Sequence, residues 1–214
     1  QRYNETLKTF ATTTYTSNDN FDNILKKILE TATKTLGVNR SSYWTYKPDK
    51  MRCSNMYDLD RNKFEKNFTI SKSNYPFYFE NIENEMQVVA SDVFTNPITA
   101  ELAKDYAKNY HITSLLDTPV IINGELKGIL CFETTFKKHD WDNEDINFAK
   151  SVSDLIIIAL ESQLRLAAEK TLAYKSELLS AMSLCTEKFL NSKNINDVFS
   201  DVLIIIGNAT KSSR

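Results

Sequence analysis

The chain has 214 residues, 42% of them hydrophobic and 25% charged, with a formal net charge of -2, the composition of a folded protein with room for one full domain and part of another. That charge balance removes the electrostatic basis for binding nucleic acid or for direct contact with a membrane surface, since both need a basic face. Three scattered cysteines, Cys53, Cys131 and Cys185, without a CxxC pair, point away from a disulfide framework or a zinc site and fit a reducing, cytoplasmic setting.

Phe21, Ile24, Leu25, Ile28, Leu29, Ala32 and Leu36 recur at helical spacing, with Ser17, Asn18 and Asp19 as cap candidates and Gly37 as the stop. "RSSYWTY" and "MRCSNMYD" read as strands around a turn at 48–50. Residues 62–110 form an irregular stretch rich in Phe, Tyr and Asn, with a short helix expected in "NPITAELAKDYAKN". Asn123-Gly124 supplies the positive φ values of a two-residue hairpin turn. Counting outward from it places Ile122 opposite Glu125, Ile121 opposite Leu126, Asp117 opposite Leu130, Leu116 opposite Cys131 and Ser114 opposite Glu133. Paired residues share a face. One face then holds Ser114, Leu116, Thr118, Ile129, Cys131 and Glu133, a mixture that suits either a small-molecule pocket or a half-solvated strand end. The other holds Leu115, Asp117, Pro119, Leu126, Gly128, Leu130 and Phe132 and reads as core, with Gly128 admitting a close neighbour. A carboxylate there needs a partner, so Asp117 is expected to hold an arginine or backbone amides rather than a ligand.

A final helix begins in "WDNEDINFAKSVSDLIIIALE", with Asp142 as cap, acids in the first turn and Trp141 as a staple. No Gly or Pro interrupts residues 129–206. The apolar stripe narrows to Ile157, Leu160, Leu164, Ala167, Thr171, Tyr174, Leu178, Ala181 and Cys185, at alternating spacings of three and four. That is a coiled-coil seam, expected to pair with a second copy in a parallel homodimer; a helix from Asp142 to about Leu190 would run roughly 70 Å, too long for one small domain to cover. A weak repeat at a shift of 174 positions lays "NINDVFSDVL" over the first helix and Arg214 over Arg40. The expected organisation is a sensor domain over 1–160, a signalling helix over 161–190 and the truncated start of a second such domain over 191–214, in a piece of a longer protein.

"DVFTNPITAEL", "YHITSLLDTPVIINGELKGILCFE" and "WDNEDINFAKSVSDLIIIALE" resemble the GAF sensor modules of bacterial sensor histidine kinases and related signalling proteins, over about residues 10–161. The resemblance implies an α+β fold: a central antiparallel sheet with helices on one face and, on the other, a pocket closed by the irregular segment. The candidate pocket residues are Tyr43, Thr45, Tyr78, Phe79, Asp92, Phe94, Tyr106, Ser114, Leu116, Cys131 and Glu133. The resemblance also narrows the ligand, whose identity is unknown. Bilin-binding relatives carry Cys beside His, whereas Tyr110 precedes His111 here, so covalent bilin attachment is not expected. The contiguous "NKFE" at 62–65 is not the dispersed signature of cyclic-nucleotide binders. Two functions stay open: a sensor of an unknown small molecule that signals to an output domain, and a ligand-free dimerising relay. No nucleophile, base and orienting group recur at workable spacing, so no catalysis is expected, and His111 and His139 read as surface or capping residues rather than a metal centre.

Overall fold

The computed structural model describes residues 2–12, 20–84, 87–192 and 194–210, and the chain divides into two compact units, 1–161 and 162–214. In the first, α1 (Arg2–Thr12) and α2 (Phe21–Leu36) precede the strands β1 (Arg40–Lys47), β2 (Lys50–Asp58), β3 (Lys63–Glu65) and β4 (Thr69–Ser71). Helix α3 (Pro76–Glu83), β5 (Val88–Ala90), the short α4 (Tyr106–Asn109), β6 (Ile112–Ile122) and β7 (Glu125–Thr135) follow, and α5 (Asn143–Asn191) begins here. The sheet is antiparallel, ordered β3-β2-β1-β7-β6-β5, with β4 also on β2.

The helix ends follow their local chemistry. Asn20 caps α2, its side chain accepting from Asp22 N, and Gly37 stops it in the left-handed region at φ 74°; residues 17–19, the expected caps, lie outside the described residues. At α5, Asp142 Oδ1 accepts from Asp145 N at 2.9 Å while Asp145 Oδ2 accepts from Asp142 N at 3.3 Å, a reciprocal capping box. Helix α1 escaped the sequence reading, although Tyr3, Leu7 and Phe10 keep helical spacing. They pack on the helix-side core, and Tyr3 stacks on Phe148 with centroids 4.7 Å apart. Helix α3 was hidden in the aromatic stretch; Pro76 opens it. The short helix expected in residues 96–109 is found at the end of that stretch as α4, while Pro97 lies among turns and does not open it.

Two cores lie on opposite faces of the sheet. The helix side joins α1, α2 and the start of α5 to Tyr43, Tyr57, Leu116, Val120, Leu130 and Phe132. The other joins Trp44, Met51, Cys53, Leu115, Ile129 and Cys131 to the covering segment with Tyr75, Tyr78, Phe79, Ile82 and Leu102.

The hairpin turns at Asn123 (φ 54°) and Gly124 (φ 76°), as predicted, and its first two pairs hold. Lys127 is then an extra residue: Ile121 faces Leu126, but Val120 faces Gly128. This β-bulge moves the pairs from Val120 to Ser114 by one, so Asp117 faces Cys131, Leu115 faces Glu133 and Ser114 faces Thr134, until a second irregularity before Ile112 restores the register with Ile112 facing Thr135. Because side chains alternate, the shift exchanges the faces of β6 relative to β7. On β7 the expected face assignment stands from Gly128 onward, while Leu126, before the bulge, packs on the opposite face; on β6 the assignment is inverted between Ser114 and Val120: Ser114 and Glu133 lie on opposite faces, and Leu116 belongs to the helix side. Ser114 and Leu116 therefore do not share the face of Cys131 and Glu133 on which a pocket was expected.

Gly128 does admit a close neighbour. A Cβ there would sit 2.4 Å from Tyr43 Oη and 2.5 Å from the Trp44 carbonyl. Gly128→Ala should therefore lower unfolding free energy by about 1–3 kcal/mol, seen as a lower urea midpoint with an unchanged m-value.

The second unit holds the remainder of α5 and α6 (Ile195–Ala209), tied by Lys188 and Asp201 at 2.7 Å. Ala181, Cys185 and Val202 are buried, whereas Leu164, Leu172, Tyr174, Leu179 and Met182 are exposed.

Candidate functional site

The sheet face away from α2 encloses a cavity of about 20 Å³, lined by Trp44, Met51, Ile70, Tyr78, Leu102, Tyr106, Leu115, Asp117, Cys131 and Glu133. Its floor is strand alternation made visible. Arg40, Ser42 and Trp44 of β1 pair with Glu133, Cys131 and Ile129 of β7 and share their face, while Ser41 and Tyr43 turn to the helices. Ser41 Oγ donates to the Leu29 carbonyl at 3.0 Å and meets Thr33 Oγ1 at 2.5 Å, which fixes that parity.

The cover is stitched to itself and to the sheet. Glu101 Oε2 accepts from the first amides of α3, Phe77 N at 3.0 Å and Tyr78 N at 3.2 Å. Tyr75 Oη donates to Asp105 Oδ1 at 2.7 Å. Glu83 accepts from Tyr46 Oη and Lys72 Nζ, each at 2.7 Å.

Two carboxylates reach the cavity with different partners. Glu133 Oε2 takes two hydrogen bonds from Arg40, Nε at 2.9 Å and Nη2 at 2.6 Å, and Oε1 accepts from Tyr106 Oη at 3.1 Å. Both members of this ion pair are buried. Asp117, only 3% exposed, receives Tyr78 Oη at 2.6 Å and the Cys131 thiol. It has no cationic partner among the described residues, and the arginine or backbone amides expected for it are not what it holds. Burial pushes its carboxyl from 3.8 up to about 7; the Tyr78 and Cys131 hydrogen bonds act the other way. Burial, followed by the Asp117 and Glu133 charges, drives the Cys131 thiol well above its ordinary value, leaving it a poor nucleophile.

Of the expected pocket residues, the structure brings Tyr78, Tyr106, Cys131 and Glu133 together. Phe79 is buried behind them in the same core. Tyr43 lies in the helix-side core, and Thr45 is exposed and bonded to Ser54. Asp92 accepts from Phe94 N at 3.0 Å and pairs with Lys138 at the surface, and Phe94 is exposed. Ser114 donates to the Ser91 carbonyl at 2.7 Å and accepts from His139 N at 2.8 Å. Sequence reasoning missed Trp44, Met51, Ile70, Leu102 and Leu115, placed Asp117 on the opposite face, and missed the role of Arg40. The alternation of "RSSYWTY" carried the signal for Arg40 and Trp44; the rest depended on the bulge and the cover.

A larger groove of about 520 Å³ lies beside the site, lined among others by Arg40, Asp58, Glu65, Tyr110, His111 and Phe136. His111 (φ 57°) and Phe136 (φ 62°) are both left-handed, and their rings stack at 4.7 Å. His139 Nε2 lies 2.8 Å from Asp145 Oδ2, and the described residues hold no cluster of metal ligands. No helix among them is long and apolar enough to cross a membrane.

The family model described as GAF domain matches residues 20–160. No curated protein matches the sequence. Among solved structures, the chain is similar to the phycocyanobilin-bound GAF domain of a cyanobacterial phytochrome, at 15% identity and a TM-score of 0.62 over 76% of this chain and 96% of that one. It is similar to the Thermosynechococcus elongatus PixJ GAF domain in its blue-light absorbing form, at 15% identity and 0.59 over 72% and 90%. A GAF domain/HD domain protein from Geobacter sulfurreducens aligns at 10% identity and 0.55 over 70% and 98%. At such identities the likeness is one of fold, and with the match over 20–160 it agrees with the strand order and the two-sided core: the chain belongs to the GAF domain family.

Proposed function

We propose that the chain is the regulatory module of a bacterial, cytoplasmic signal-transduction protein, taking up a small molecule in the enclosed cavity and passing its state through a homodimeric α5 to an output domain such as a histidine kinase. The observation that carries this reading is Asp117. A carboxylate this buried, without a base, costs stability, and departures of that kind concentrate at functional sites. Binding would act by favouring one of two dimer arrangements over the other. Phycocyanobilin, named for one relative, is not carried over: the cavity volume of about 20 Å³ suits a group the size of a water molecule. That same tightness supports the second reading, a dimerising relay without a ligand.

A thermal-shift screen of cyclic nucleotides, amino acids, amines and haem tests the choice. A reproducible rise in Tm with any one class supports the sensor, and none leaves the relay. The dimer has its own test. The exposed part of the seam includes Leu164, Ala167, Thr171 and Tyr174, while Ala181 and Cys185 are already buried within the chain. Replacing Leu164 and Leu178 with glutamate should give a folded monomer by light scattering, because the core of the first unit is built from other residues. A dimeric double variant, or a monomeric parent at high concentration, overturns the dimeric reading.

A further inference from the structure

The polar hydrogens around the cavity are already committed. Trp44 Nε1 donates to Ser42 Oγ at 2.8 Å, Tyr78 Oη to Asp117 at 2.6 Å and Tyr106 Oη to Glu133 at 3.1 Å. The other lining side chains are apolar, apart from the Cys131 thiol, which also serves Asp117. A ligand carboxylate or phosphate would therefore meet two carboxylates and no uncommitted side-chain donor. A cation meets the opposite situation. Glu133 is already neutralised by Arg40, whereas Asp117 has only a phenol and a thiol, which hydrogen-bond but bring no charge. Around it stand the rings of Trp44, Tyr78 and Tyr106, with Trp44 and Tyr106 edge-to-face at 6.4 Å, and aromatic faces attract cations.

We propose that the cavity recognises a small organic ammonium ion, its nitrogen on Asp117 and its first carbons against the Trp44 and Tyr106 rings. This rests on reading the cavity as the ligand site. The volume of about 20 Å³ accepts the ammonium head itself. Met51, Ile70, Leu102 and Leu115 supply an apolar wall for the first carbons of a short hydrocarbon tail. A donor-rich head with a compact apolar tail matches this lining, and an amino-acid zwitterion does not, because its carboxylate would find no donor.

Calorimetric titration of the full chain with n-butylammonium and benzylammonium chloride tests the assignment, with butanol, butyrate, ammonium chloride and potassium chloride at the same concentration as comparisons. The expected result is saturable binding of the organic ammonium ions at one site per chain, weakened about tenfold or more in Asp117→Asn, since a hydrogen-bonded ion pair becomes a neutral contact. Circular dichroism should find that variant folded. Equal binding of butanol or butyrate, or undiminished ammonium binding by Asp117→Asn, overturns the assignment. Butyrate or butanol binding alone overturns the cation and leaves a sensor of another ligand class standing. Saturation by ammonium chloride as tight as by butylammonium makes the site an inorganic-cation site and overturns the organic ligand. If no compound of any charge binds, the cation assignment falls; the sensor reading falls with it only if the broader screen is also empty.

Discussion

Replacing Arg40 by methionine should lower the unfolding free energy of the domain by about 3–5 kcal/mol, the usual cost of removing one partner from a buried ion pair. Burial works against the Arg40 charge, but the Glu133 carboxylate, together with Tyr106 and Asp58, more than offsets that penalty, so its pKa is raised. The guanidinium makes two hydrogen bonds to one carboxylate oxygen and lies over the Tyr110 ring at 5.4 Å. Without it, Glu133 keeps only Tyr106 Oη among its side-chain partners. It is then left in a largely apolar cavity without its cation. The double variant Arg40→Met with Glu133→Leu should recover most of the loss, because the penalty comes from the orphaned charge rather than from the absent attraction. Urea denaturation of the two single variants and the double variant gives the comparison. If the double variant is as unstable as Arg40→Met, packing of the arginine stem and its stacking on Tyr110 matter more than charge compensation.

The second large effect is one of pH. In the unfolded chain Asp117 titrates near 3.8; in the folded protein burial raises it to about 7. Below pH 4 both states are protonated and the group is neutral to stability. Between about 4 and 7 the unfolded chain has released the proton and the folded one keeps it, so stability falls as pH rises. Above 7 the full penalty is present, on the order of 4 kcal/mol for a shift of this size. Asp117→Asn should therefore stabilise the domain little at pH 4.5 and strongly at pH 8, and the parent-minus-variant difference should grow across that interval. A difference that is flat with pH would mean that Asp117 is compensated in the folded state. Stability gained at the expense of ligand recognition is the usual exchange at such a position.

The sequence carried α2, the strands β1 and β2, the β6–β7 hairpin, the start of α5 and several of their ends, because caps, glycine stops and the Asn123-Gly124 turn act within a few residues of where they stand. The side on which each strand residue lies is decided at longer range. Nothing in "NGELKGILCFE" marks Lys127 as unpaired, and one unpaired residue was enough to move Ser114 and Leu116 out of the expected pocket and Asp117 into it. The aromatic cover shows the same limit. Tyr78 and Tyr106 were legible as pocket residues from density of rings alone, but Phe94, equally aromatic, ends at the surface, since the choice depends on how Glu101, Asp105 and Glu83 fasten the segment. Asp117 stood out from the start as a charge on an apolar face. Its partner did not, because the phenol that meets it comes from 39 residues away.

The Lys127 side chain is half-buried and pairs with Glu125 at the surface, and no part of the cavity depends on its chemistry. Its backbone is another matter. Removing that single residue would act on the sheet as a frameshift acts on a message: the positions of β6 from Val120 to Ser114 would be read out on the wrong side, sending Asp117 among the helices and Leu116 into the cavity. Across related chains that keep this cavity, position 127 should therefore vary freely in residue type and yet never be missing.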